Sequence, residues 1–265
     1  MTEGIWDRAA PLYEQTGVEF FAPLGRELVA RAGLRRGDRV LDLGCGRGHV
    51  LVPAAEAVGA AGSVTGIDRA ARMVSLTAAE LRERGIVNAA VTVGDATAPS
   101  FAPGAFDAVL SGFMMFLLGD AAAALQAYRM LLSARGRIAF STFGRADERH
   151  ERARAVLRSR AGISPQRRGD GVFDDRDAIV RLVESSGFCD VTVCAKPVRT
   201  RFASSAQWWD WAWSVGLRGS LERIASERLD EARAEVEDVL AGARRPDGTL
   251  VLTTEILFTT ATRPR

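Results

Sequence analysis

An α/β fold built on a doubly wound, mainly parallel sheet follows from three features of this 265-residue sequence. Val40-Leu41-Asp42-Leu43 reads as the end of a buried strand, and Gly44, Gly46 and Gly48 follow before an apolar helical pattern opens at His49. Apolar strands then alternate with helical segments as far as Ser141. The second strand, Ser63–Asp68, ends in an acid 24 positions past Gly44, about the spacing at which a carboxylate takes ribose hydroxyls in nucleoside-binding sheets.

The remaining elements follow in order. Residues 4–16 read as a short helix broken by Pro11, and Phe20, Phe21 and Leu24 begin an apolar face that runs to Leu34. Gly37-Asp38 turns the chain into the first strand, and the first helix covers residues 49–58, closed by Ala60-Ala61-Gly62. A helix spans Ala70–Arg84, Val91–Val93 is the third strand, and Gly94-Asp95-Ala96 follows it. The fourth strand, Phe106–Leu110, runs into Ser111-Gly112-Phe113-Met114. Helix Ala121–Leu132 precedes the fifth strand, Arg137–Ser141. Residues 144–175 interrupt the alternation with a polar helix, Ala146–Arg160, and a loop, Gly162–Gly171. Helix Asp177–Ser186 stops at Gly187, and strand Phe188–Ala195 follows. A helical insertion at about residues 203–242 and a last strand, Leu250–Thr260, complete the pattern, which has no internal repeat.

The chemistry is concentrated in the glycine loop. Glycine takes positive φ and lets the backbone approach a ligand, and a strand–turn–helix unit points amides at that ligand from the helix N-terminus. The G-x-G-x-G spacing places the third glycine one position earlier than the dinucleotide fingerprint does. Asp42, two positions before Gly44, would repel a pyrophosphate but suits a ligand with an ammonium group. The loop therefore points to a nucleoside that carries an amino acid.

Val40 to Gly48 resembles motif I of the class I S-adenosylmethionine (SAM) methyltransferases, close to the ubiquinone/menaquinone-biosynthesis type and its small-molecule relatives. The resemblance implies a Rossmann-like sheet of seven strands, the last antiparallel, with SAM as cofactor. It implies that Tyr13 reaches the methionine carboxylate, that Asp68 holds the ribose hydroxyls, and that Asp95 and the amide of Ala96 meet the adenine. Asp42, Gly44, Cys45, Gly46, Arg69, Met73, Gly94 and Ser111 complete the expected cofactor contacts. Each has a plainer alternative: a tight turn for the glycines, a packed aromatic for Tyr13, a helix cap for Asp68 and a turn residue for Asp95. Ser133-Ala134-Arg135-Gly136 replaces the Pro-Gly-Gly that often precedes strand five in the family. Residues after strand four normally lie beside the methyl group. Ser111-Gly112-Phe113-Met114 departs there from the N/D-P-P-Y/F of base-methylating relatives, so a small-molecule acceptor is expected and nucleic acid is not.

Composition agrees. A net charge of +2, from 35 basic and 33 acidic residues, provides no broad field for nucleic acid or a membrane surface. Cys45, Cys189 and Cys194 are scattered, which fits reduced thiols in a cytoplasmic protein better than a disulfide framework or zinc site. No signal peptide opens the chain and no apolar run approaches the roughly 20 residues of a membrane span. The expected organisation is a single domain, 1–265, with lid elements at 1–34, 144–175 and 200–245 over the carboxyl ends of the strands. Phe20, Phe113, Met114, Trp209 and Trp213 are the expected substrate pocket. Trp209 and Trp213 stand one helical turn apart, with Trp208, Trp211 and Val215 on a neighbouring face; the alternative is that both faces are lid core. The chain has two histidines, His49 and His150. His49 suits packing or a cofactor contact; His150 suits the surface and is the weak candidate for a catalytic base. Ser111 stands where a metal-binding carboxylate would be required, so no metal is expected. Two further classes stay open: a SAM-binding cyclase or decarboxylase on this scaffold, and a regulatory module. Neither the acceptor atom nor the oligomeric state is legible.

Overall fold

The computed structural model describes residues 4–164 and 168–265. Seven strands form one sheet: β1 (Arg39–Leu43), β2 (Ser63–Asp68), β3 (Ala89–Val93), β4 (Phe106–Gly112), β5 (Leu132–Ala146), β6 (Cys189–Phe202) and β7 (Leu250–Thr262). Their order is β3-β2-β1-β4-β5-β7-β6. β1 pairs in parallel with β2 (Val40 opposite Val64) and with β4 (Val40 opposite Ala108), and β7 is antiparallel. This is the expected Rossmann-like α/β fold. The chain winds outward in opposite directions from β1 and β4, so the connections leaving these two strands part and open a crevice at their carboxyl ends.

Helices α1 (Ile5–Ala9), α2 (Phe21–Ala32), α3 (Leu51–Val58), α4 (Ala71–Glu83) and α5 (Ala121–Leu131) precede β5. Helices α6 (Glu148–Arg160), α7 (Arg176–Ser185), α8 (Ser205–Ser214), α9 (Arg218–Leu221) and α10 (Leu229–Ala241) follow it. Several start where an oxygen-bearing side chain satisfies an orphan amide. Asp120 accepts from Ala123 N at 2.9 Å, Asp175 from Ala178 N at 2.7 Å and Ser204 from Gln207 N at 3.2 Å. By contrast, no side chain caps α3, the helix that follows the glycine loop.

Two compact units divide the chain. The sheet unit comprises Phe21–Gly144, Arg168–Lys196 and Ile256–Arg265; the helical unit comprises Met1–Phe20, Arg145–Arg167 and Pro197–Glu255. Of the segments expected in a lid, α2 and Arg168–Asp174 fall in the sheet unit. In the sheet unit, Leu41, Leu43, Val109, Ile138 and Phe140 pack with Leu125 and Tyr128 of α5 and Ile179 and Val183 of α7.

Several boundaries differ from expectation: β5 begins at Leu132 and so takes in Ser133–Gly136, β3 begins at Ala89, β4 runs to Gly112, and the helix expected over residues 4–16 covers Ile5–Ala9. β5 and β6 run on past Ser141 and Ala195 because β7, 13 residues long, lies between them and supplies backbone partners. The loop expected over Gly162–Gly171 falls partly outside the described residues, and its end belongs to a 3-10 helix, Arg168–Asp174. That turn buries Phe173, whose carbonyl accepts from Thr142 Oγ1 at 3.2 Å.

Gly25 sets how closely α2 approaches the glycine loop. A Cβ at this position would stand 2.0 Å from the His49 carbonyl oxygen, so helix and loop touch backbone to backbone. Gly25→Ala is therefore expected to cost about 1–3 kcal/mol through overpacking and to lower the thermal midpoint by several degrees. An unchanged midpoint would show that α2 does not rest on the loop.

Candidate cofactor site

The site is built at the carboxyl ends of β1, β2, β3 and β4 in the sheet unit. β1 ends in Leu43, and the chain turns through Gly44, Gly46 and Gly48 with φ of 67°, 49° and 79°, a region that favours glycine. The amides of Gly44 and Cys45 both donate to the Ile67 carbonyl, at 2.9 and 3.0 Å. Gly46 is held at both of its backbone polar groups. Its N–H donates to Asp68 Oδ2 at 2.9 Å, and its carbonyl accepts from Thr77 Oγ1 at 2.7 Å. Asp68 Oδ1 also accepts from Ala70 N at 2.8 Å, fixing the turn into α4. Asp68 thus braces the turn ahead of α4 without capping the helix itself, and a carboxylate, with roughly four acceptor positions, can serve a ribose diol as well.

The glycines have different reasons. A Cβ on Gly44 would lie 2.7 Å from Met114 Cγ, so Gly44 makes room for the residue that follows β4 at the crevice. A Cβ on Gly46 would meet nothing nearer than the Gly44 carbonyl oxygen at 4.0 Å. The open side of Gly46 is where a ligand can reach the backbone. Inside β2, Gly66 leaves space for Leu51 Cδ1 and Cys45 Sγ, which a Cβ would meet at 2.4 and 2.9 Å.

Asp42 lies fully buried beneath the loop, and neither of its carboxylate oxygens has a hydrogen bond of good geometry. Burial pushes its carboxyl well above the ordinary carboxylate range. The charge of Asp68 adds to the rise, and the Leu51 amide opposes it. The buried Cys45 thiol is likewise pushed up, by burial first and then by Asp42 and Asp68. An unsatisfied buried carboxylate beside a glycine that opens on clear space fits a ligand with both cationic and nucleoside parts, as SAM has.

After β3, Asp95 is exposed. Its Oδ1 accepts from Thr97 N and Thr97 Oγ1, both at 2.8 Å, and these bonds hold its carboxyl below the usual range. The turn role weighed for Asp95 is therefore real. Ala96 is held by a residue the sequence reading missed: the buried Tyr128 hydroxyl donates to its carbonyl at 2.6 Å. Burial and the Asp95 charge raise the Tyr128 pKa, so the phenol stays a donor. Gly94 packs against Ile67, Met73 is buried on α4, and Arg69 is exposed. Ser111 is buried and donates to the Leu43 carbonyl at 3.2 Å, which ties the end of β4 to the end of β1.

Beyond Ser111 the surface becomes aromatic. Phe113 adopts a left-handed φ of 57°, and its N–H donates to the Ser141 carbonyl at 3.1 Å. This turn sets its ring 5.3 Å from Phe21 and 4.7 Å from Phe143, while Phe116 lies 5.4 Å from Phe143. A bulky residue at positive φ is uncommon and costs strain, here held by packing and one backbone bond.

The other expected site residues belong to the helical unit. Tyr13 is half-buried in the turn after α1. His150, expected at the surface, is buried, because the charged sequence of α6 hides an inward stripe of His150, Ala153, Arg154 and Leu157. Phe20 packs edge-on against Trp211 at 6.2 Å. Trp209 is buried, and the Trp213 ring lies under the Arg218 guanidinium at 5.6 Å. Among the described residues no group of three His, Cys, Asp or Glu could hold a metal ion, and no helix is long and apolar enough to cross a membrane.

Known proteins share this architecture. A family model described as a methyltransferase domain matches residues 40–136. Nocamycin O-methyltransferase of Saccharothrix syringae is 36% identical over 254 residues, which covers 90% of this chain and 91% of that protein. Aklanonic acid methyltransferase DauC of Streptomyces sp. (strain C5) is 44% identical over 137 residues, 52% of this chain and 62% of that protein. The solved structure of YcgJ from Bacillus subtilis matches 92% of this chain and 99% of its own with a TM-score of 0.62 at 15% identity, a likeness of fold.

Asp42 makes a prediction about the ligand-free protein. Its folded pKa lies above its unfolded value of about 3.9, so over that interval the folded state binds more protons. Stability must then fall as pH rises from about 4 toward the raised value, by up to about 1.4 kcal/mol per pH unit. Asp42→Asn removes this term. Without SAM, the variant's thermal midpoint should gain on wild type as pH increases from 5 to 8, and parallel profiles would contradict the assignment.

Proposed function

We propose that this chain, which belongs to the class I SAM-dependent methyltransferases, methylates an oxygen atom of a largely apolar small molecule in bacterial specialised metabolism. The chain is a SAM-dependent methyltransferase with a small-molecule acceptor. The observation that carries it is the match over nine-tenths of both chains with an O-methyltransferase. The second relative is named for an acid substrate, which supports an oxygenated acceptor. A cytosolic location belongs to the same reading and is supported by three unpaired cysteines.

SAM supplies an activated methyl group on a sulfonium, open to in-line displacement. The work left to the chain is binding, orientation and exclusion of water. On this reading Asp68 takes the ribose hydroxyls while keeping the Gly46 amide, the open side of Gly46 admits the cofactor to the backbone, and Asp42 favours its cationic part. The amide of Ala96, steadied by Tyr128, meets the adenine, with Asp95 beside it. Phe113 and Met114, at the end of β4, face the acceptor. Without a cation beside them Asp42 and Cys45 are both driven toward their neutral forms, a bound cationic group would favour the Asp42 carboxylate, and neither residue is assigned as a base. An acceptor oxygen already ionised near neutral pH, as in a carboxylate or a phenol acidified by conjugated carbonyls, requires none.

Two measurements test this. Incubation with methyl-labelled SAM and a panel of aromatic acids, phenols and amines should place the label on oxygen and leave S-adenosylhomocysteine. Label on nitrogen or carbon would overturn the oxygen assignment, and tight SAM binding with no transfer to any acceptor would favour a cyclase or decarboxylase. Asp68→Ala should weaken SAM binding by about 1.5–3 kcal/mol, roughly ten-fold to over a hundred-fold. Calorimetric titration with unchanged affinity would remove Asp68 from the site.

A further inference from the structure

Buried polar atoms with no hydrogen-bond partner gather along α8 in the helical unit. Trp208 Nε1 and Trp211 Nε1 lie on that helix, and Thr16 Oγ1 sits against it, since the Thr16 carbonyl accepts from Gln207 Nε2 at 3.0 Å. Trp208 is 0% exposed and Trp211 6%, so their donors do not meet bulk water. An indole N–H donates and cannot accept. Leaving two such donors unsatisfied in a folded interior is costly.

The surroundings are aromatic. The Trp211 ring has Phe202 at 5.6 Å, His150 at 6.1 Å, Phe20 at 6.2 Å and Trp208 at 6.5 Å, and His150 also meets Trp208 edge-on at 6.1 Å. Trp208 and Trp211 stand three residues apart on α8, so their rings leave the helix on one side. Packing explains rings at these positions. It does not explain indoles, because phenylalanine would bring an aromatic ring without a donor to satisfy.

We propose that Trp208 and Trp211 are substrate-recognition residues whose N–H groups bind carbonyl or carboxylate oxygens on the edge of a flat, conjugated acceptor, with Phe20, Phe202 and His150 against its rings. This assignment rests on the reading of the chain as a methyltransferase of oxygenated small molecules. Two donor-only groups select acceptor oxygens and disfavour an ammonium or amide N–H, which would confront donor with donor. Edge-to-face aromatic neighbours suit a planar ligand. Pairing both donors with acceptor oxygens removes the desolvation cost of the unpartnered N–H groups.

The test uses 15N-labelled full-length protein saturated with S-adenosylhomocysteine and titrated with anthraquinone-2-carboxylate. The five tryptophans produce five indole N–H signals, and Trp208→Phe and Trp211→Phe identify two of them. Those two signals should move downfield saturably, each variant should raise the Kd of the probe about ten-fold, and SAM affinity should stay within two-fold of wild type. An anthracene carrying an aminomethyl group should bind at least ten-fold more weakly than the carboxylate. If the two indole signals stay in place, if the carboxylate fails to bind, or if the variants lose thermal stability with an unchanged Kd for the probe, the assignment is overturned and the indoles are packing or water-bridged. Unmoved indoles in a protein that still forms O-methyl products would remove this assignment alone. Moved indoles with label on nitrogen or carbon would remove the oxygen reading alone.

Discussion

The backbone of Gly46 is the point on which the candidate cofactor site depends. Asp68 holds its N–H from the end of β2, and Thr77 holds its carbonyl from the buried face of α4. With φ at 49°, the loop occupies a conformation that only a glycine adopts without strain, and these two bonds convert that freedom into one shape. The shape is therefore fixed before any ligand arrives, which lowers the ordering cost of binding. Asp68 is economical in this role: one carboxylate shapes the loop and bonds Ala70 ahead of α4, and in the proposed function it also takes the ribose.

Around this clamp the sheet topology supplies the rest. Reversal of strand order between β1 and β4 opens the crevice, and Gly44 lets Met114 cross it closely. Ser111 bonds the two strand ends together at the same place. The buried carboxyl of Asp42 is the energetic counterpart. It lowers the stability of the fold as pH rises toward neutral, and in the proposed function a cationic cofactor part offsets that loss. Such local cost at a site that must recognise charge, compensated by a well-packed apolar sheet, is common in enzymes.

How much of this was legible in the sequence depends on whether a residue's role is local. The strand–glycine–helix unit and the acid ending β2 were readable because hydrophobic period, glycine spacing and chain distance are properties of the sequence itself. Roles that arise from pairing across the fold were not. Gly25 looks like an ordinary helix glycine until His49 lies against it. Tyr128 reads as an apolar-face aromatic, and its hydroxyl matters only because Ala96 is above it. Thr77 did leave a trace, as a polar residue between Met73 and Leu81 on the buried stripe of α4. The tryptophan helix was recognised as apolar on two faces. Its ring cluster, however, centres on Trp211 with His150 as a neighbour, while Trp213 pairs with Arg218, and helical spacing alone does not reveal which partners another element brings. The burial of His150 was hidden for the same reason: the next four residues in α6 are all charged or small, and the inward stripe shows once α6 is folded.

The most direct test of the central claim is a crystal structure of the protein with S-adenosylhomocysteine. The account predicts that Asp68 accepts the ribose hydroxyls while retaining the Gly46 amide, with Thr77 still bonded to the Gly46 carbonyl and the ligand passing on the open side of Gly46. A ligand seated away from Gly46, or an Asp68 that bonds only to backbone, would contradict it.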